Sequence, residues 1–347
     1  MSSANPFRNF DVYKIDPLTE IRNAGIVTNG QVYWVSSVSD SDHRQRTNDM
    51  GNTYVKTTLQ EAVNAAETNV NDYVLVVPTD GGTARALSEG FNINKNRVHI
   101  LGVGARPSPN GYGLSFTGFA TASPSVVDTE LVAVTGAGVE LGGMRFLGTT
   151  GTADTGTITR LMVVGTASTG TPHDLWVHDV TLETSNAAAL GAGTAPLVIF
   201  TGNVATGIQN PKFERCWMGN LVWAPAGIVD LGLGTAGPTR AEFRDCTFVT
   251  DAQATTDRFM IMGTGATEYT LIKNCDFLNV EAGTLPASAL TGPVLVDNPV
   301  LLRNNSYVNI TAAGTDTEHF KSPAFSGTAA AITDIGISIG TAAIIPA

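Results

Sequence analysis

Apolar residues recur along the middle of the chain in a short unit that repeats about every 30 residues. The unit reads apolar-x-x-Cys-x-apolar at 213–218, 243–248 and 272–277. The three cysteines are 30 and 29 residues apart, and Asn305 takes the cysteine place in a fourth unit 30 residues later. Self-similarity at a fixed period is the signature of a repeat architecture. The pattern therefore predicts a solenoid in which each unit belongs to one coil.

The same template continues upstream at 177–182, 141–146 and 98–103, with intervals that lengthen to 36, 36 and 43 residues. Loop insertions would account for the longer intervals. The first predicted apolar column is Val98, Leu141, Val177, Phe213, Phe243, Ile272 and Leu302. The second is Val103, Phe146, Leu182, Met218, Phe248, Phe277 and Tyr307.

Each unit contains a bend between its two apolar columns. The first apolar residue precedes the cysteine position by three, which breaks the alternation of a strand, whereas the last follows it by two, which keeps it. The bend position carries Arg215, Asp245, Asn274 and Asn304, and Asp179 further upstream. These polar residue types suit a turn.

A second series of apolar segments accompanies the units, so each coil supplies at least two strands. Continuous apolar runs of this length are typical of strands in parallel sheets. The segments begin at Leu131, Leu161, Leu197, Ile228, Phe259 and Val294. The prediction is an all-β fold, a single-stranded right-handed parallel β-helix of about seven or more coils.

A short amphipathic helix is predicted before the coils. Leu59, Ala62 and Val63 recur at helical spacing, and Thr58 with Glu61 forms the sequence pattern of a capping box. An apolar strand at 73–77 follows and is stopped by Pro78.

This Leu-Gln-x-Ala-Val helix, a strand ending in Val-Pro and a strand ending in Leu-Gly-Val-Gly at 101–104 resemble the entry to pectin-lyase-like β-helices. The motif Phe-Arg-Asp-Cys-Thr-Phe at 243–248 is similar to the strand-turn-strand unit of that family. The resemblance spans roughly residues 53–310 and implies the fold, with the helix capping the amino-terminal end.

The segment at 30–35, the polar loop after it and the helix also resemble the opening of many phage-encoded and bacterially encoded β-helix proteins. We therefore expect residues 1–52 to form an amino-terminal arm and entry strand, residues 53–310 the β-helix, and residues 311–347 a tail. Residues 1–29 would be either a docking arm or a poorly ordered terminus. The tail would either fold over the last coil or contact a neighbouring subunit.

Composition narrows the classes of function. The net charge is −11, no stretch is rich in Lys and Arg, and charged residues make up 15% of the chain. These values argue against a nucleic-acid partner. No apolar run suggests a signal peptide or a membrane span, so we expect no membrane partner and synthesis in a host cytoplasm.

The cysteines are predicted to be structural. Cys216, Cys246 and Cys275, with Asn305, would form a buried ladder along the core, as small buried residues. The alternative is a disulfide between Cys246 and Cys275, which a reducing compartment disfavours.

No catalytic constellation emerges from the sequence. Polysaccharide lyases and glycoside hydrolases of this fold use clustered acids, but Asp179 and Asp245 would be separated by the coil that carries Arg215. The five histidines show no metal-ligand spacing. We therefore expect no catalytic residue, no metal and no cofactor, with a lyase or hydrolase as the enzyme alternative.

The tryptophans are the candidate binding or interface residues. Trp217 lies between Cys216 and Met218, so alternation points it outward if those two face the core. Trp176 and Trp223 are further candidates. Such side chains anchor protein interfaces or stack on sugars.

Three functions remain open. The first is a virion structural protein, a capsid decoration, cement or head-fibre protein, expected to be a homotrimer that contacts other capsid or tail proteins. The second is a tailspike-like protein that binds or cleaves bacterial surface polysaccharide. The third is an extracellular adhesin or S-layer-type protein. The link to phage rests on resemblance alone.

Overall fold

A computed structural model gives the fold of the chain. It describes residues 30–36, 47, 51, 53–76, 86–87, 90–102, 115–118, 130–148, 160–165, 172–184, 196–201, 207–220, 227–232, 237–252, 254–262, 270–280, 286–287, 289–291, 300–311, 320–321 and 338–339. Within these residues the strands pair in parallel and form three sheets. No helix among them has the length and apolar character to cross a membrane.

The first sheet has eleven strands, named here in their order across the sheet. They are β2 (Val55–Lys56), β1 (Val32–Val35), β3 (Asp72–Val76), β6 (Val98–Gly102), β9 (Glu140–Gly142), β12 (Trp176–His178), β15 (Lys212–Glu214), β18 (Ala241–Arg244), β21 (Thr270–Lys273), β24 (Val300–Arg303) and β26 (Phe320–Lys321).

The second and third sheets complete the coils. The second contains β27 (Ser338–Ile339), β25 (Ser306–Val308), β22 (Asp276–Asn279), β19 (Thr247–Thr250), β16 (Trp217–Asn220), β13 (Thr181–Thr184), β10 (Arg145–Gly148), β7 (Ser115–Gly118) and β4 (Ala86–Leu87). The third contains β23 (Leu290–Thr291), β20 (Met260–Ile261), β17 (Val229–Asp230), β14 (Val198–Phe200), β11 (Arg160–Val164), β8 (Glu130–Val134) and β5 (Phe91–Ile93).

From β3 to β25 the chain visits the three sheets in the same order, coil after coil. The fold is a parallel β-helix, and the predicted fold class is confirmed. The bend between the first and second sheets lies where the sequence placed it. Its residues adopt the left-handed backbone region, with φ between 52° and 57° at Asp179, Arg215, Asp245, Asn274 and Asn304. Asn and Asp tolerate this region better than other side chains do.

The core is a stack of equivalent residues. Phe213 and Phe243 stack with ring centroids 5.2 Å apart. A second column stacks Phe248, Phe277 and Tyr307 at 4.9 and 5.2 Å. Offset-stacked rings at these separations stabilise one another beyond the burial of their area. Neighbouring coils are therefore held in a single register.

The observed strand pairing shows that the predicted columns are wrong in the coil that begins with β6. Ile100, and not Val98, pairs with Leu141, because β6 aligns with β9 two residues further along. In the second sheet Phe116 pairs with Phe146, and Val103 lies outside the described residues. In the third sheet Leu290 pairs with Met260, whereas the predicted segment at Val294 also lies outside them.

The amino-terminal helix, α1 (Leu59–Ala65), has the predicted capping box. Thr58 Oγ1 accepts a hydrogen bond from the Glu61 backbone N–H at 3.1 Å, and Glu61 Oε2 accepts one from the Thr58 N–H at 3.3 Å. Leu59, Ala62 and Val63 are buried in the core. The helix therefore covers the amino-terminal coils, as the resemblance implied.

The side chain of Gln60 forms two hydrogen bonds with the backbone at the edge of the third sheet, in the place where a neighbouring strand would form them. Its Oε1 accepts a hydrogen bond from the Asn92 backbone N–H at 2.7 Å, and its Nε2 donates to the Asn92 carbonyl at 3.3 Å. Asn92 lies in β5, the last strand of that sheet. One carboxamide thus satisfies both backbone groups that this edge residue presents.

The structure places Cys216, Cys246, Cys275 and Asn305 in the core, one per coil, with the cysteines as free thiols. Asn305 Nδ2 donates to the Ile272 carbonyl of the preceding coil. Each cysteine Sγ lies within hydrogen-bond distance of two carbonyls, one in its own coil and one in the preceding coil. Burial raises the pKa of Cys246, so its thiol keeps the proton that it donates. The column is therefore a ladder of hydrogen-bond donors.

Replacing Asn305 with Ala should cost about 2–4 kcal/mol of unfolding free energy, because two buried backbone groups lose their partners. Asn305 Oδ1 accepts from the Cys275 N–H at 2.8 Å, and Nδ2 donates to the Ile272 carbonyl at 3.0 Å. The neighbouring Asn304→Ala is the control, since Asn304 is exposed and we expect a loss of about 1 kcal/mol there. Denaturant unfolding of both variants measures the difference. Equal losses would contradict a special role for Asn305.

Candidate binding face on the first sheet

The outer face of the first sheet carries three parallel rows of outward side chains. One row runs His99, Glu140, Trp176, Lys212, Glu242 along successive coils. The next row, two residues further along each strand, runs Gly142, His178, Glu214, Arg244, Lys273, Arg303. The third row consists of the bend residues with left-handed backbone, Asp179, Arg215, Asp245, Asn274 and Asn304. Together these rows make the candidate site, which we call the first-sheet face.

Glu140 joins two histidines that the sequence leaves scattered. Its Oε2 lies 2.6 Å from His99 Nδ1, and its Oε1 lies 3.0 Å from His178 Nε2. All three side chains are mostly buried, with 15–20% of each exposed. Burial opposes ionisation of Glu140, but the hydrogen bonds from His178 and His99 and the charges of both rings outweigh it. The pKa of Glu140 is consequently held at about 2.

His178 is bound on both sides by carboxylates. Its second ring nitrogen, Nδ1, lies 2.9 Å from Asp179 Oδ2. An ionised carboxylate only accepts hydrogen bonds, so His178 satisfies both carboxylates when both of its ring nitrogens carry a proton, which favours the imidazolium form. Burial acts to lower the pKa of His178, yet the hydrogen bonds to Glu140 and Asp179 raise it overall.

The network continues through the bend row. Arg215 donates to both oxygens of Asp179, from Nε at 2.9 Å and from Nη2 at 2.7 Å. This fork, followed by the hydrogen bond from His178, holds the pKa of Asp179 at about 2. Arg215 also reaches Glu214 at 2.8 Å, and Lys212 pairs with Glu214 at 2.7 Å. The described charges from Glu140 to Lys212 are thus all compensated within the face.

Trp176 stands among these ion pairs. It is the more exposed of the two tryptophan candidates that the structure describes, with 37% of its surface accessible. Its ring centroid lies 4.3 Å from that of His178, and Lys212 Nζ lies 5.6 Å from it. Hydrogen bonds, first from Lys212 and to a smaller extent from Trp176, lower the pKa of Glu214.

Trp217 lies on a different sheet from Trp176. It points outward from β16, as alternation predicted, and is half-buried between Cys216 and Met218. Its ring lies over Gly219, where a Cβ would come within 2.5 Å of Trp217 Cη2. The structure therefore does not bring Trp217 and Trp176 into one site, and Trp223 lies outside the described residues.

Other acidic residues of the described coils do not form an acid pair. Glu183 forms an ion pair with Arg145 on the second sheet. Asp230 lies on the third sheet, aligned with Ile199 and Ile261, and burial raises its pKa. Asp245 accepts a hydrogen bond from Asn274. In the part of the chain that is described, no group of three or more His, Cys, Asp and Glu side chains is arranged to hold a metal ion.

Comparison with solved structures identifies the fold. The Escherichia coli protein YbhC matches at a TM-score of 0.51 and 12% identity, covering 98% of this chain and 94% of its own. Pectin methylesterase PemA from Erwinia chrysanthemi matches at 0.49 and 14%, covering 89% and 92%. The rice weevil pectin methylesterase matches at 0.48 and 12%, covering 80% and 81%. At 12% identity the likeness to YbhC shows a shared fold alone, in agreement with the parallel β-helix described above.

The other comparisons add no function. No protein-family model matches the chain, and no curated protein matches it either. The predicted resemblance to phage proteins gains no support from these findings. The homotrimer and its capsid or tail partners stay predictions.

Replacing Glu140 with Gln should make the free energy of unfolding depend less on pH, both in the acidic range and above about pH 6.5. Glu140 and Asp179 have lowered pKa values, so their stabilisation is present above about pH 4.5 and is lost as the pH falls towards 2. His178 has a raised pKa, so its stabilisation is fully present below about pH 6.5 and is lost as the pH rises through the folded-state pKa, which lies above that value. Glu140→Gln should cost about 2 kcal/mol near pH 5.5.

The control for this prediction is Glu242→Gln. Glu242 lies in the same outward row, and among the described residues its carboxylate forms an ion pair only with Arg244, at 2.7 Å. An exposed pair of this kind contributes about 0–1 kcal/mol. Thermal unfolding between pH 2 and pH 9 measures both variants, and identical profiles would rule out a special role for Glu140.

Proposed function

We propose that this protein binds a linear polysaccharide along the first-sheet face, with Trp176 as the stacking residue. The observation that carries the proposal is the exposed indole of Trp176 on a face whose strands keep one register from β12 to β24. A flat row of this kind suits an extended polymer better than it suits a small molecule, which a concave pocket would enclose.

The groups around Trp176 match the chemistry of a sugar. A pyranose presents an apolar C–H face, which packs on an indole, and a rim of hydroxyl groups, which need hydrogen bonds. Lys212 and Glu214 lie beside the indole on the adjacent coil, and Glu242 and Arg244 lie on the next. Charged donors and acceptors make the stronger hydrogen bonds.

The ionisation of the face favours binding over cleavage. Glycoside hydrolysis uses one carboxyl group that keeps its proton and a second that is ionised nearby. On this face Glu140 and Asp179 both have a pKa of about 2. The described carboxyl group whose pKa is raised by burial, Asp230, lies on the third sheet. We therefore place recognition, and not hydrolysis, on the first-sheet face.

Trp176→Ala should weaken glycan binding about tenfold, because loss of one well-packed aromatic contact is worth roughly 1.4 kcal/mol. Trp176→Phe, which keeps a ring, should recover part of the affinity. Val280→Ala is the matched control, since Val280 is also an exposed apolar residue and follows a strand of the second sheet. Affinity electrophoresis through gels that contain bacterial surface polysaccharides measures the change.

Two results would overturn the proposal. One is unchanged mobility of Trp176→Ala in a gel that retards the wild-type protein. The other is the release of new reducing ends or unsaturated sugars, which would show that the protein is an enzyme acting on polysaccharide. A virion location is a separate prediction, which imaging of the native particle tests.

A further inference from the structure

The indole of Trp176 lies against the ring of His178, two residues further along β12. Their ring centroids are 4.3 Å apart, with an angle of 34° between the ring planes. A cation within about 6 Å of the centre of an aromatic ring is attracted by its π-electrons. Imidazole is the side chain that ordinarily gains or loses its charge near neutral pH. The attraction between the two rings therefore depends on whether His178 carries its second proton.

Gly142 makes room for the ring of His178. The two residues are partners on adjacent coils of the first sheet. A Cβ added to Gly142 would come within 2.5 Å of His178 Cε1 and 2.6 Å of Nε2, so the ring occupies the space that any other side chain would fill. The backbone of Gly142 does not adopt the left-handed region, in contrast to that of Gly143. The missing side chain at position 142 thus serves the placement of the imidazole.

The placement of the ring also depends on two carboxylates. Glu140 Oε1 lies 3.0 Å from His178 Nε2, and Asp179 Oδ2 lies 2.9 Å from Nδ1. Both acids have a pKa of about 2 and stay ionised when the histidine titrates. A neutral imidazole has only one donor nitrogen, so its other nitrogen would direct a lone pair at a carboxylate oxygen. Loss of one proton therefore breaks one of the two contacts that hold the ring.

The other charged groups on the strands around His178 have partners of their own. Glu214, which aligns with His178 on β15, forms ion pairs with Lys212 and Arg215. On the other side, His99 of β6 contacts the second oxygen of Glu140, at 2.6 Å. Substitution of His178 therefore tests the two contacts of its own ring and leaves these pairs in place.

We propose that His178 is a positioning residue for Trp176 in glycan binding, and that loss of a proton from its ring weakens that binding. This inference rests on the proposed function of the first-sheet face and adds its regulation by pH. The imidazolium, held by Glu140 and Asp179 over Gly142, fixes the indole. The neutral ring gives up one carboxylate contact and its attraction for the indole.

The contact between the two rings is tested by fluorescence, without any glycan. An imidazolium in contact with an indole quenches indole fluorescence more strongly than a neutral imidazole does. The emission of Trp176 is the difference between the wild type and Trp176→Phe. This difference should rise between pH 5.5 and pH 9, with a midpoint above pH 6.5, because the carboxylates raise the pKa of His178.

Two variants and a matched control identify the titrating group. His178→Gln, measured against His178→Gln/Trp176→Phe, should lose the pH dependence. Gly142→Ala should lose it as well, because its Cβ displaces the ring. His99→Gln removes the histidine on the far side of Glu140 and should keep it. A dependence that persists in His178→Gln, or a wild-type signal that stays constant over this range, overturns the positioning role. Circular dichroism at each pH confirms that the proteins are folded.

The effect on binding is measured in affinity gels that contain dextran or hydroxyethylcellulose, two polymers without charge. Mobility is compared at each pH with that in a gel without polymer. The wild type should bind about threefold more weakly at pH 9 than at pH 6, since one contact between a cation and an aromatic ring is lost. His178→Gln should bind equally at both pH values, and His99→Gln should behave as the wild type does.

The two proposals fail in different ways. Equal binding of the wild type at pH 6 and pH 9 overturns the regulation, while a loss of binding in Trp176→Ala still supports the proposed function. Unchanged binding in Trp176→Ala overturns the proposed function even if the fluorescence of Trp176 titrates. Wild-type protein that neither polymer retards at pH 6 overturns the regulatory proposal.

Discussion

The left-handed bend after each strand of the first sheet is the constraint on which the rest of the structure depends. It turns the chain at the same point in successive coils, from Asp179 to Asn304. Since every coil turns at the same point, each inward residue lies on an equivalent residue of the coil before. The aromatic stacks, the donor ladder and the outward rows all follow from this single repetition.

The sequence predicted this constraint because polar residues stand at the bend and apolar ones on either side. The columns are correct from Leu141 onward, where the intervals are shortest. The prediction was wrong at the coil after residue 98, since the long loop there removes the regular interval as a guide. A shift of two residues preserves the alternation of faces, so the pattern alone gave no sign of the error.

That same shift explains why the Glu140 network could not be predicted. With Val98 opposite Leu141, His99 would lie opposite Gly142, and Arg97 would take the place opposite Glu140. In the true register His99 lies opposite Glu140, which also reaches His178. Which ion pairs form depends on side-chain conformations within rows, and a single sequence shows the rows but not the conformations.

The first-sheet face therefore has two electrostatic halves. Between Glu140 and Lys212 the charges neutralise one another, and this half contributes to stability. Beyond Arg244, neither Lys273 nor Arg303 has an ion-pair partner among the described residues, so like charges face each other there without compensation. Unpaired charged groups are common on surfaces that bind a partner, because binding sites are built from groups that the fold itself leaves unpaired.

The carboxamide of Gln60 has a consequence for assembly. A solenoid with a bare terminal strand can accept another chain there and grow into a fibre of unlimited length. By occupying both backbone groups of Asn92, Gln60 blocks strand addition at this edge of the third sheet. The molecule can then associate side by side through its faces without polymerising head to tail through that edge.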